Sequence, residues 1–300
     1  MYLIKLIDYW QHRLSNKKEL RLAMSILVRD EEDVIEDNIR FHAKKGVDFF
    51  VVMVNNSVDR TREILESLSA EFEIHIIDQT SNEFKQAKWV TEMAFLAKSY
   101  GADWVMNNDA DEFWQTQSSY KALLSTSDSV VTVKRYNMAL CTNQIVESSD
   151  YLTSPLKVKN TINFEKHTQF SDDNLSILLR YLQPNVLVNP YGLIRVGGGN
   201  HRANHVWRLQ TRRTENKIEV MHYPIRSYQQ FKNKVEIQYR QREYLAPLGG
   251  HMKRWMRIYE QGGLEQEFER FLLNSSDVDA LTKIGVLSKI RPLRDEILLN

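Results

Sequence analysis

Four short apolar runs alternate with helix-like segments over the first 106 residues, and this alternation restricts the possible folds more than any other feature. The runs have the length and continuity of strands that are buried on both faces. They cover residues 22–28, 48–54, 73–77 and 102–106. Because helices of this length join strands as parallel β-α-β units, the sequence predicts an α/β fold with a mixed, mostly parallel sheet flanked by helices.

Polar loops follow three of the four predicted strands. They cover residues 29–33, 55–61 and 107–112. In open α/β sheets ligands bind beyond the carboxyl ends of the strands, so we expect these loops to meet at one edge and form the site. The third loop carries Asp109, Asp111 and Glu112. In extended backbone Asp109 and Asp111 leave the same face and can converge on one hard cation, whereas Glu112 points the other way.

The composition fits a globular chain of one large or two modest domains, since 42% of its 300 residues are apolar. The net charge is +1, but residues 201–257 carry 13 Lys and Arg against 4 Asp and Glu. This basic segment favours an anionic partner, and a nucleic acid is not expected because no nucleic-acid motif accompanies it. Cys141 is the only cysteine. A single cysteine excludes an intramolecular disulfide and cysteine-based zinc sites, and it favours a cytoplasmic location.

Helical segments are expected before and after the predicted sheet region in the sequence. Residues 1–19 mix apolar and charged side chains and predict a short amphipathic helix that packs on the domain or touches a membrane surface, with packing favoured. Residues 227–300 predict a C-terminal helical extension, which begins with an amphipathic helix over 228–244. The basic face of this extension is expected to be solvated, or to contact anionic lipid peripherally at the inner face of the membrane.

Four motifs, in this order and spacing, resemble the nucleotide-sugar half of glycosyltransferase family 2, which has the GT-A fold. They are Val28-Arg29-Asp30-Glu31, Gly46-Val47-Asp48, Asn55-Asn56-Ser57-Val58-Asp59-Arg60-Thr61 and Asn108-Asp109-Ala110-Asp111-Glu112-Phe113. The likeness is strongest to a bacterial branch with an R-D-E opening and a D-x-D-E-F signature, and it covers residues 20–114. A weaker likeness continues through Gly199-Asn200-His201 and Met221-His222-Tyr223 to Ser227 and Phe231.

The resemblance implies a metal-dependent glycosyltransferase that moves a sugar, with inversion, from a nucleoside diphosphate sugar to a glycan or lipid-linked acceptor in cell-surface polysaccharide synthesis. The catalytic domain would cover residues 20–226, with the nucleotide-sugar half at 20–114 and the acceptor half at 115–226. Mn²⁺ or Mg²⁺ would be the cofactor, because carboxylates hold these ions while leaving positions for diphosphate oxygens.

The resemblance places the donor nucleotide-sugar at Arg29, Glu31, Asn55, Asp59 and Asp109. Arg29 could hold the diphosphate or the base, or form a surface ion pair with Glu31. Asn55 stands where family members commonly carry an acid that bonds a uracil-type base, so base recognition persists through the amide or has changed. Asp59 could instead cap the following helix, as Asp30 could cap the helix after the first strand.

Asp109 and Asp111 are the expected metal ligands. The third ligand is expected to be a late histidine: His201, which follows glycines that allow close approach, or His222, which fits the family's H-Y pattern better. An inverting transfer also needs a carboxylate to take the proton of the acceptor hydroxyl. The candidates for this base are Asp172 and Asp173, at the start of a helix predicted over 173–182 that they could instead cap, and Glu112.

Two other functions remain open from the sequence. A nucleotidyltransferase also uses carboxylates and Mg²⁺ on an α/β sheet, but it releases pyrophosphate from a nucleoside triphosphate. A non-catalytic nucleotide-sugar-binding or glycan-binding protein that kept the fold would bind its ligand without transfer, and Asn55 makes this conceivable. The sequence contains no P-loop, nucleophile-elbow or zincin motif, which excludes those classes.

Overall fold

The structure of the protein is a computed structural model. It describes residues 2–15, 19–81, 83, 85–142, 150–162, 176–206, 211–240, 242 and 250–298. The chain divides into two compact units. The first comprises residues 1–81, 85–135 and 183–220, and the second comprises residues 82–84, 136–182 and 221–300. The three-part division at 1–19, 20–226 and 227–300 stays a prediction.

The elements follow each other in an alternating pattern up to β4 and less regularly afterwards. In chain order the strands are β1 (Leu22–Val28), β2 (Phe49–Asn55), β3 (Ile74–Gln79), β4 (Trp104–Asp109), β5 (Glu112–Thr116), β6 (Val130–Cys141), β7 (Leu156–Val158), β8 (Asn185–Val188), β9 (Leu193–Val196), β10 (Ala203–His205), β11 (Arg212–His222), β12 (Leu272–Leu273) and β13 (Leu287–Lys289). The helices are α1 (Tyr2–Leu14), α2 (Ile35–Lys44), α3 (Thr61–Leu68), α4 (Gln86–Ser99), α5 (Tyr228–Arg240), α6 (Gly250–Glu260), α7 (Leu264–Glu269), α8 (Ser275–Lys283) and α9 (Leu293–Leu298).

A mixed sheet forms the centre of the first unit. Its strands lie in the order β3-β2-β1-β4-β8-β6, where β3, β2, β1 and β4 are parallel and β8 is antiparallel to both β4 and the start of β6. Val28 of β1 lies opposite Val54 of β2, and Leu27 lies opposite Asp109 of β4. The carboxyl ends of these three strands are therefore side by side, and the α/β fold class predicted from the sequence is confirmed.

The core of the first unit explains why the apolar runs became its strands. All residues of β2 are buried, and β1 and β4 are buried except at one position each. Helix α4 packs its apolar face, which includes Trp89, Met93 and Ala97, into the same cluster as Phe49 and Val105. Strands covered on both faces need continuous apolar sequence, which is the pattern of these runs.

Strand β4 ends three residues later than predicted, at Asp109 and not at Met106. The sequence analysis placed Asn107 in a loop because it is polar. In the structure its side-chain amide donates to the carbonyl of Val186 at 3.3 Å, and its amide oxygen accepts from the Ser25 hydroxyl at 3.2 Å. A buried polar side chain whose hydrogen bonds are satisfied can continue a central strand.

The second unit combines short strands with the C-terminal helices. The end of β6 pairs antiparallel with β7 and parallel with β12, and β13 pairs antiparallel with β7. Helices α5, α6 and α7 enclose an aromatic cluster in which Phe231 meets Trp255 edge to face, with ring centroids 5.1 Å apart. The predicted C-terminal helical extension is confirmed, while β12 and β13 were not predicted. None of the helices in the described ranges has the length and apolarity needed to span a bilayer.

The helix predicted over 173–182 is wrong for the part of it that the structure describes. A 3-10 turn covers Ile177–Leu179, and it begins where the Ser176 hydroxyl accepts the backbone N–H of Leu178. A serine that bonds its own backbone favours such a turn over a continuous helix. Asp172 and Asp173 lie outside the described residues.

Helix α1 packs on the first unit, as the sequence analysis favoured. His12 is buried, and its Nε2 lies 2.9 Å from the Asp103 carboxylate. Its ring stacks on Tyr191 with centroids 3.9 Å apart. Asn189 approaches the other ring nitrogen at 3.3 Å, so the imidazole donates to Asp103 and accepts from the amide. These polar contacts attach α1 to the domain in one orientation.

The fit of α1 against Gly192 yields a test. Gly192 has φ +79°, and a Cβ there would lie 2.9 Å from Cβ of Tyr9 in α1. Gly262 has a similar φ of +73° but nothing within 4 Å of the same position. We expect Gly192→Ala to lower the free energy of unfolding by about 3 kcal/mol, from backbone strain plus overpacking, and Gly262→Ala by roughly 1 kcal/mol, from strain alone. Urea titrations measure both, and equal losses would contradict the close packing of α1.

Candidate active site

The loop after β1 is bound to the loop after β2 by reciprocal hydrogen bonds. Asp30 adopts a left-handed conformation with φ +54°, and its carboxylate accepts the backbone N–H of Val58 at 2.7 Å. In return, the Ser57 hydroxyl accepts the backbone N–H of Asp30 at 3.1 Å. The prediction that Asp30 caps the following helix is wrong, because α2 starts after Val34 without a side-chain cap. Asp30 holds the two loops together instead.

Asp59 and Thr61 extend the same contact. One carboxylate oxygen of Asp59 accepts the backbone N–H of Glu32 at 3.0 Å, and the other accepts that of Thr61 at 2.9 Å. The Thr61 hydroxyl accepts the backbone N–H of Glu31 at 2.9 Å. Asp59 is not the N-cap of α3, because that position is Arg60, but it bonds the first residue of the helix and also holds the first loop. The predicted convergence of these two loops at the sheet edge is confirmed.

The acidic motif lies in a tight turn next to these loops. Asp109 is the last residue of β4, Ala110 and Asp111 form the turn, and Glu112 begins β5. The extended geometry that the sequence analysis assumed for Asp109 and Asp111 is therefore wrong. The fully buried amide of Asn38 donates to the carbonyls of Ala110 at 2.7 Å and of Glu112 at 2.9 Å. Since Asn38 belongs to α2, the helix that follows the first loop, it ties that loop to the turn.

Hydrogen bonds of buried ring nitrogens fix the backbone next to the turn. The indole N–H of Trp114 donates to the amide oxygen of Asn108 at 2.7 Å. The backbone N–H of Trp114 donates to Nε2 of His42 at 3.1 Å, and Nδ1 of His42 lies 2.8 Å from the Asn38 carbonyl. Burial lowers the pKa of His42 to about 3, so its imidazole is neutral and carries its proton on Nδ1. Phe113 and Trp114 are fully buried, as expected for residues beneath the site.

Glu112 is a buried and fully engaged carboxylate. It is 0% exposed and forms an ion pair with Arg135 at 2.6 Å. The Asn185 amide donates to its other oxygen, and the backbone N–H of Asp109 approaches that oxygen at 3.4 Å. A carboxylate with both oxygens engaged by such donors is suited to fixing the turn. These contacts favour the structural role of Glu112 over the role of catalytic base.

Arg135 is a site residue that the sequence analysis missed. Its side chain is 9% exposed. Burial lowers its pKa, but Glu112, Asp109 and Asp111 together raise it more, so the net pKa is above its ordinary value. The guanidinium therefore offsets the mutual repulsion of three carboxylates that lie close in sequence. Arg135 follows Lys134 within the long strand β6, and the local sequence gives no signal of this role.

Asn200 lies beside Asp109, and the sequence analysis named it only within the weaker family likeness and gave it no role at the site. It is fully buried in a left-handed conformation with φ +59°, and its amide donates to a carboxylate oxygen of Asp109 at 3.0 Å. Within the described part of the chain, its Oδ1 is buried without a hydrogen-bond partner. A buried acceptor of this kind next to a carboxylate suits a cation ligand.

His201 follows Asn200 directly and has the arrangement common to metal-binding histidines. Its Nδ1 lies 3.1 Å from the Pro184 carbonyl, which fixes the proton on Nδ1 and leaves the lone pair on Nε2. A Cβ at Gly199, where φ is +71°, would lie 2.8 Å from the imidazole. The glycine is thus needed for the close approach that the sequence analysis inferred. His222 belongs to the second unit, where its Nδ1 lies 2.8 Å from the amide oxygen of Asn137.

The described residues contain no group of three or more His, Cys, Asp or Glu side chains placed to hold a metal ion. The donors that do lie at the turn are the carboxylates of Asp109 and Asp111 and the amide oxygen of Asn200. Asn200 is not one of these four residue types. Hard divalent cations accept amide oxygens as well as carboxylates.

The residues expected to bind the nucleotide lie on the first two loops. Asn55 is buried at the end of β2, and its amide N–H₂ donates to the carbonyls of Gln79 at 3.1 Å and Ser81 at 3.2 Å. Its donors are engaged, so the group it can offer a base is its carbonyl oxygen. Arg29 is half-buried directly after β1, and burial lowers its pKa. Glu31 is in the same loop, and its backbone N–H donates to the Thr61 hydroxyl.

Comparison with known proteins gives the family. The family model described as Glycosyl transferase family 2 matches residues 26–180, which is more than half of the chain. The chain therefore belongs to glycosyl transferase family 2 and is a glycosyltransferase. The GT-A fold expected from the resemblance agrees with the mixed sheet and its flanking helices. No curated protein matches the sequence.

Several solved structures are similar at low identity. The S. aureus TarS 1–349 complex with UDP is 13% identical, with 80% of this chain and 72% of that chain covered and a TM-score of 0.41. A complex of glucosyl-3-phosphoglycerate synthase from Mycobacterium tuberculosis with Mn²⁺, UDP and phosphoglyceric acid is 12% identical, with 79% of each chain covered and a TM-score of 0.37. GalNAc-T7 with UDP, GalNAc and Mn²⁺ is 8% identical, with 74% and 48% covered and a TM-score of 0.40. These likenesses do not extend to substrates or residue roles.

Protonation of His42 yields a test of the support beneath the turn. Its folded pKa of about 3 lies below the ordinary value of 6.5. Between pH 6.5 and pH 3, His42 is protonated in the unfolded chain but neutral in the folded chain. The stabilisation is therefore fully present above pH 6.5 and is lost as the pH falls towards 3. We expect His42→Gln to make the loss of stability with falling pH shallower by up to about 1.4 kcal/mol per pH unit.

The measurement is the free energy of unfolding of the two proteins between pH 4 and pH 7. Parallel pH profiles of the unchanged protein and His42→Gln would contradict a buried neutral imidazole.

Proposed function

We propose that this glycosyltransferase moves a sugar from a nucleoside diphosphate donor to a glycan or lipid-linked acceptor, with the donor bound at the carboxyl edge of the sheet. The observation that carries the proposal is a set of hydrogen bonds at this edge. Asp30 and Ser57 join the loop after β1 to the loop after β2, and Asn38 joins α2, the helix after the first loop, to the Ala110–Asp111 turn. Membership of glycosyl transferase family 2 supports the reaction class. A set of rigid, preformed polar loops is what binding of a charged, extended donor requires.

The base of the donor is proposed to lie against Asn55. With its amide donors engaged by Gln79 and Ser81, Asn55 offers an acceptor oxygen, which is also what an acidic residue offers. A ring N–H such as that of uracil would donate to it. The replacement of an acid by Asn55 is therefore compatible with a uridine donor.

The diphosphate is proposed to lie between Arg29 and the turn. The planar guanidinium of Arg29 can bind two phosphate oxygens at once. Asp59 acts by holding the loops, because both of its carboxylate oxygens accept backbone N–H groups. Glu31 is proposed to contact the donor from the same loop.

A divalent cation, Mn²⁺ or Mg²⁺, fits the donors at the turn. Asp109 and Asp111 would hold it, with Asn200 Oδ1 or His201 as a further ligand and His222 as the alternative histidine. The buried, unbonded oxygen of Asn200 beside Asp109 supports this choice. When bound, the ion would neutralise charge on the departing diphosphate.

The residues of the chain have separate roles in this proposal. Arg135 and Glu112 hold the turn and balance its charge, and Asn38 fixes its backbone. The acceptor hydroxyl needs a base if the transfer inverts the anomeric centre, and Asp172 and Asp173 are proposed for that role. The branch with the D-x-D-E-F signature, the cell-surface acceptor and a cytoplasmic, membrane-peripheral location are parts of the same proposal.

The product of the reaction separates this proposal from its rivals. A nucleotidyltransferase would release pyrophosphate from a nucleoside triphosphate. A non-catalytic binding protein would bind a nucleotide-sugar and release no product across a panel of acceptors. Release of a nucleoside diphosphate together with a glycosylated acceptor is expected for a glycosyltransferase and for neither rival.

Removal of the Asp111 charge tests the metal role. Asp111→Asn keeps the volume of the side chain but removes an anionic ligand, so we expect Mn²⁺-dependent release of nucleoside diphosphate to fall by roughly 100-fold or more. Asp279→Asn, at an exposed position of α8, is the matched control and should leave the activity unchanged. Thermal unfolding of each variant shows whether it is folded. Full activity in a folded Asp111→Asn protein would contradict the role of Asp111 in holding the cation.

A further inference from the structure

Helix α1 turns its apolar face outward. Leu3, Ile4, Ile7, Trp10 and Leu14 are each between 40% and 75% exposed. Positions 3, 7, 10 and 14 are spaced as one face of an α-helix, and Gln11 is the polar residue that accompanies them. A helix on the surface of a globular domain ordinarily shows the opposite arrangement, with its apolar face toward the core.

Three polar side chains of α1 are bound by the rest of the domain. Lys5 donates to the carbonyl of Leu193 at 2.7 Å, and Asp8 forms an ion pair with Lys98. Together with the buried pair of His12 and Asp103, these contacts hold α1 on the side opposite its exposed apolar face. The outward direction of the apolar face is thus fixed by the packing of the helix.

The size of this face argues against a protein partner. The exposed face consists of five side chains on one helix of 13 residues. A stable protein interface buries about 800 Å² and roughly 20 to 30 residues on each partner. The apolar face of α1 alone therefore supplies far fewer residues than a dimer of this chain needs.

A lipid surface suits the same face. An interfacial helix buries its apolar side only to the boundary between head groups and acyl chains, where tryptophan is enriched. Trp10 belongs to the exposed face, with 40% of its surface exposed. Arg13 places a positive charge beside this face, since its guanidinium lies 5.9 Å from the centre of the Trp10 ring. Positive charge at the edge of an apolar face favours anionic head groups.

We propose that the outward face of α1, formed by Leu3, Ile4, Ile7, Trp10 and Leu14, is a membrane-binding surface that holds the enzyme on an anionic lipid bilayer. The helix lies in the plane of the interface, with the catalytic unit attached through its polar side. This surface differs from the basic C-terminal segment that the sequence analysis considered. There, Trp255 is buried in the core and Arg254 is paired with Glu267. The proposal does not depend on the donor or the reaction.

Sedimentation of the full chain with vesicles tests the proposal. Vesicles of equal parts phosphatidylcholine and phosphatidylglycerol are expected to bind the protein, and vesicles of phosphatidylcholine alone to bind it more weakly. The double substitution Ile7→Glu with Trp10→Glu is expected to reduce binding roughly tenfold or more, because two charges replace apolar groups that enter the lipid. Both positions are exposed, so the melting temperature is expected to stay unchanged.

Two control variants identify the surface. Ile284→Glu, at a position that is 70% exposed in the second unit, is expected to bind vesicles as the unchanged protein does. Lys253→Glu with Arg257→Glu, at exposed positions of α6, is expected to retain most binding. The proposal is overturned if the anionic vesicles bind no protein, or if the α1 double variant binds as well as the unchanged chain. It is also overturned if light scattering shows a dimer that the α1 substitutions convert to a monomer.

Discussion

The two hydrogen bonds from the Asn38 amide to the carbonyls of Ala110 and Glu112 are the contact on which the site depends. These bonds connect α2, the helix that follows the first loop, to the turn that carries the carboxylates. A buried carbonyl left without its donor costs about 1 to 3 kcal/mol, so the turn is strongly held in this one conformation. Since Asp30 and Asp59 bind the first loop to the second, the whole carboxyl edge of the sheet is organised through these contacts.

The carboxylates of the acidic motif are divided by their surroundings. The buried carboxylate of Glu112 is paired with the Arg135 guanidinium and accepts a hydrogen bond from the Asn185 amide. Asp109 and Asp111 lie at the turn itself. A buried carboxylate without its cation would carry a large desolvation cost, so the pair of Glu112 and Arg135 is needed once Glu112 is inside. The motif thus joins a structural residue, Glu112, to the two residues that are proposed to hold the cation.

The sequence predicted the parallel strands and the meeting of their loops, because continuous apolar runs and the right-handed β-α-β rule depend on local pattern. It did not predict Asn38, Arg135 or Asn200, because each acts through a partner that is distant in sequence. The turn at Ala110–Asp111 was also missed, since residue spacing alone does not distinguish a strand end from a two-residue turn. The sequence also did not predict that the apolar face of α1 points outward. The amphipathic pattern shows that the helix has two faces, but it does not show which face packs on the domain.

The central claim is that the edge formed by these loops binds a nucleoside diphosphate together with a divalent cation. The most direct measurement is the melting temperature of the protein with UDP, GDP, CDP or ADP, each with and without Mn²⁺. A ligand that binds only the folded state stabilises it by mass action, so one nucleotide should raise the melting temperature by about 5 °C or more near saturation, and only with Mn²⁺. If none of the nucleotides changes the melting temperature at millimolar concentration, with or without the cation, the claim is contradicted.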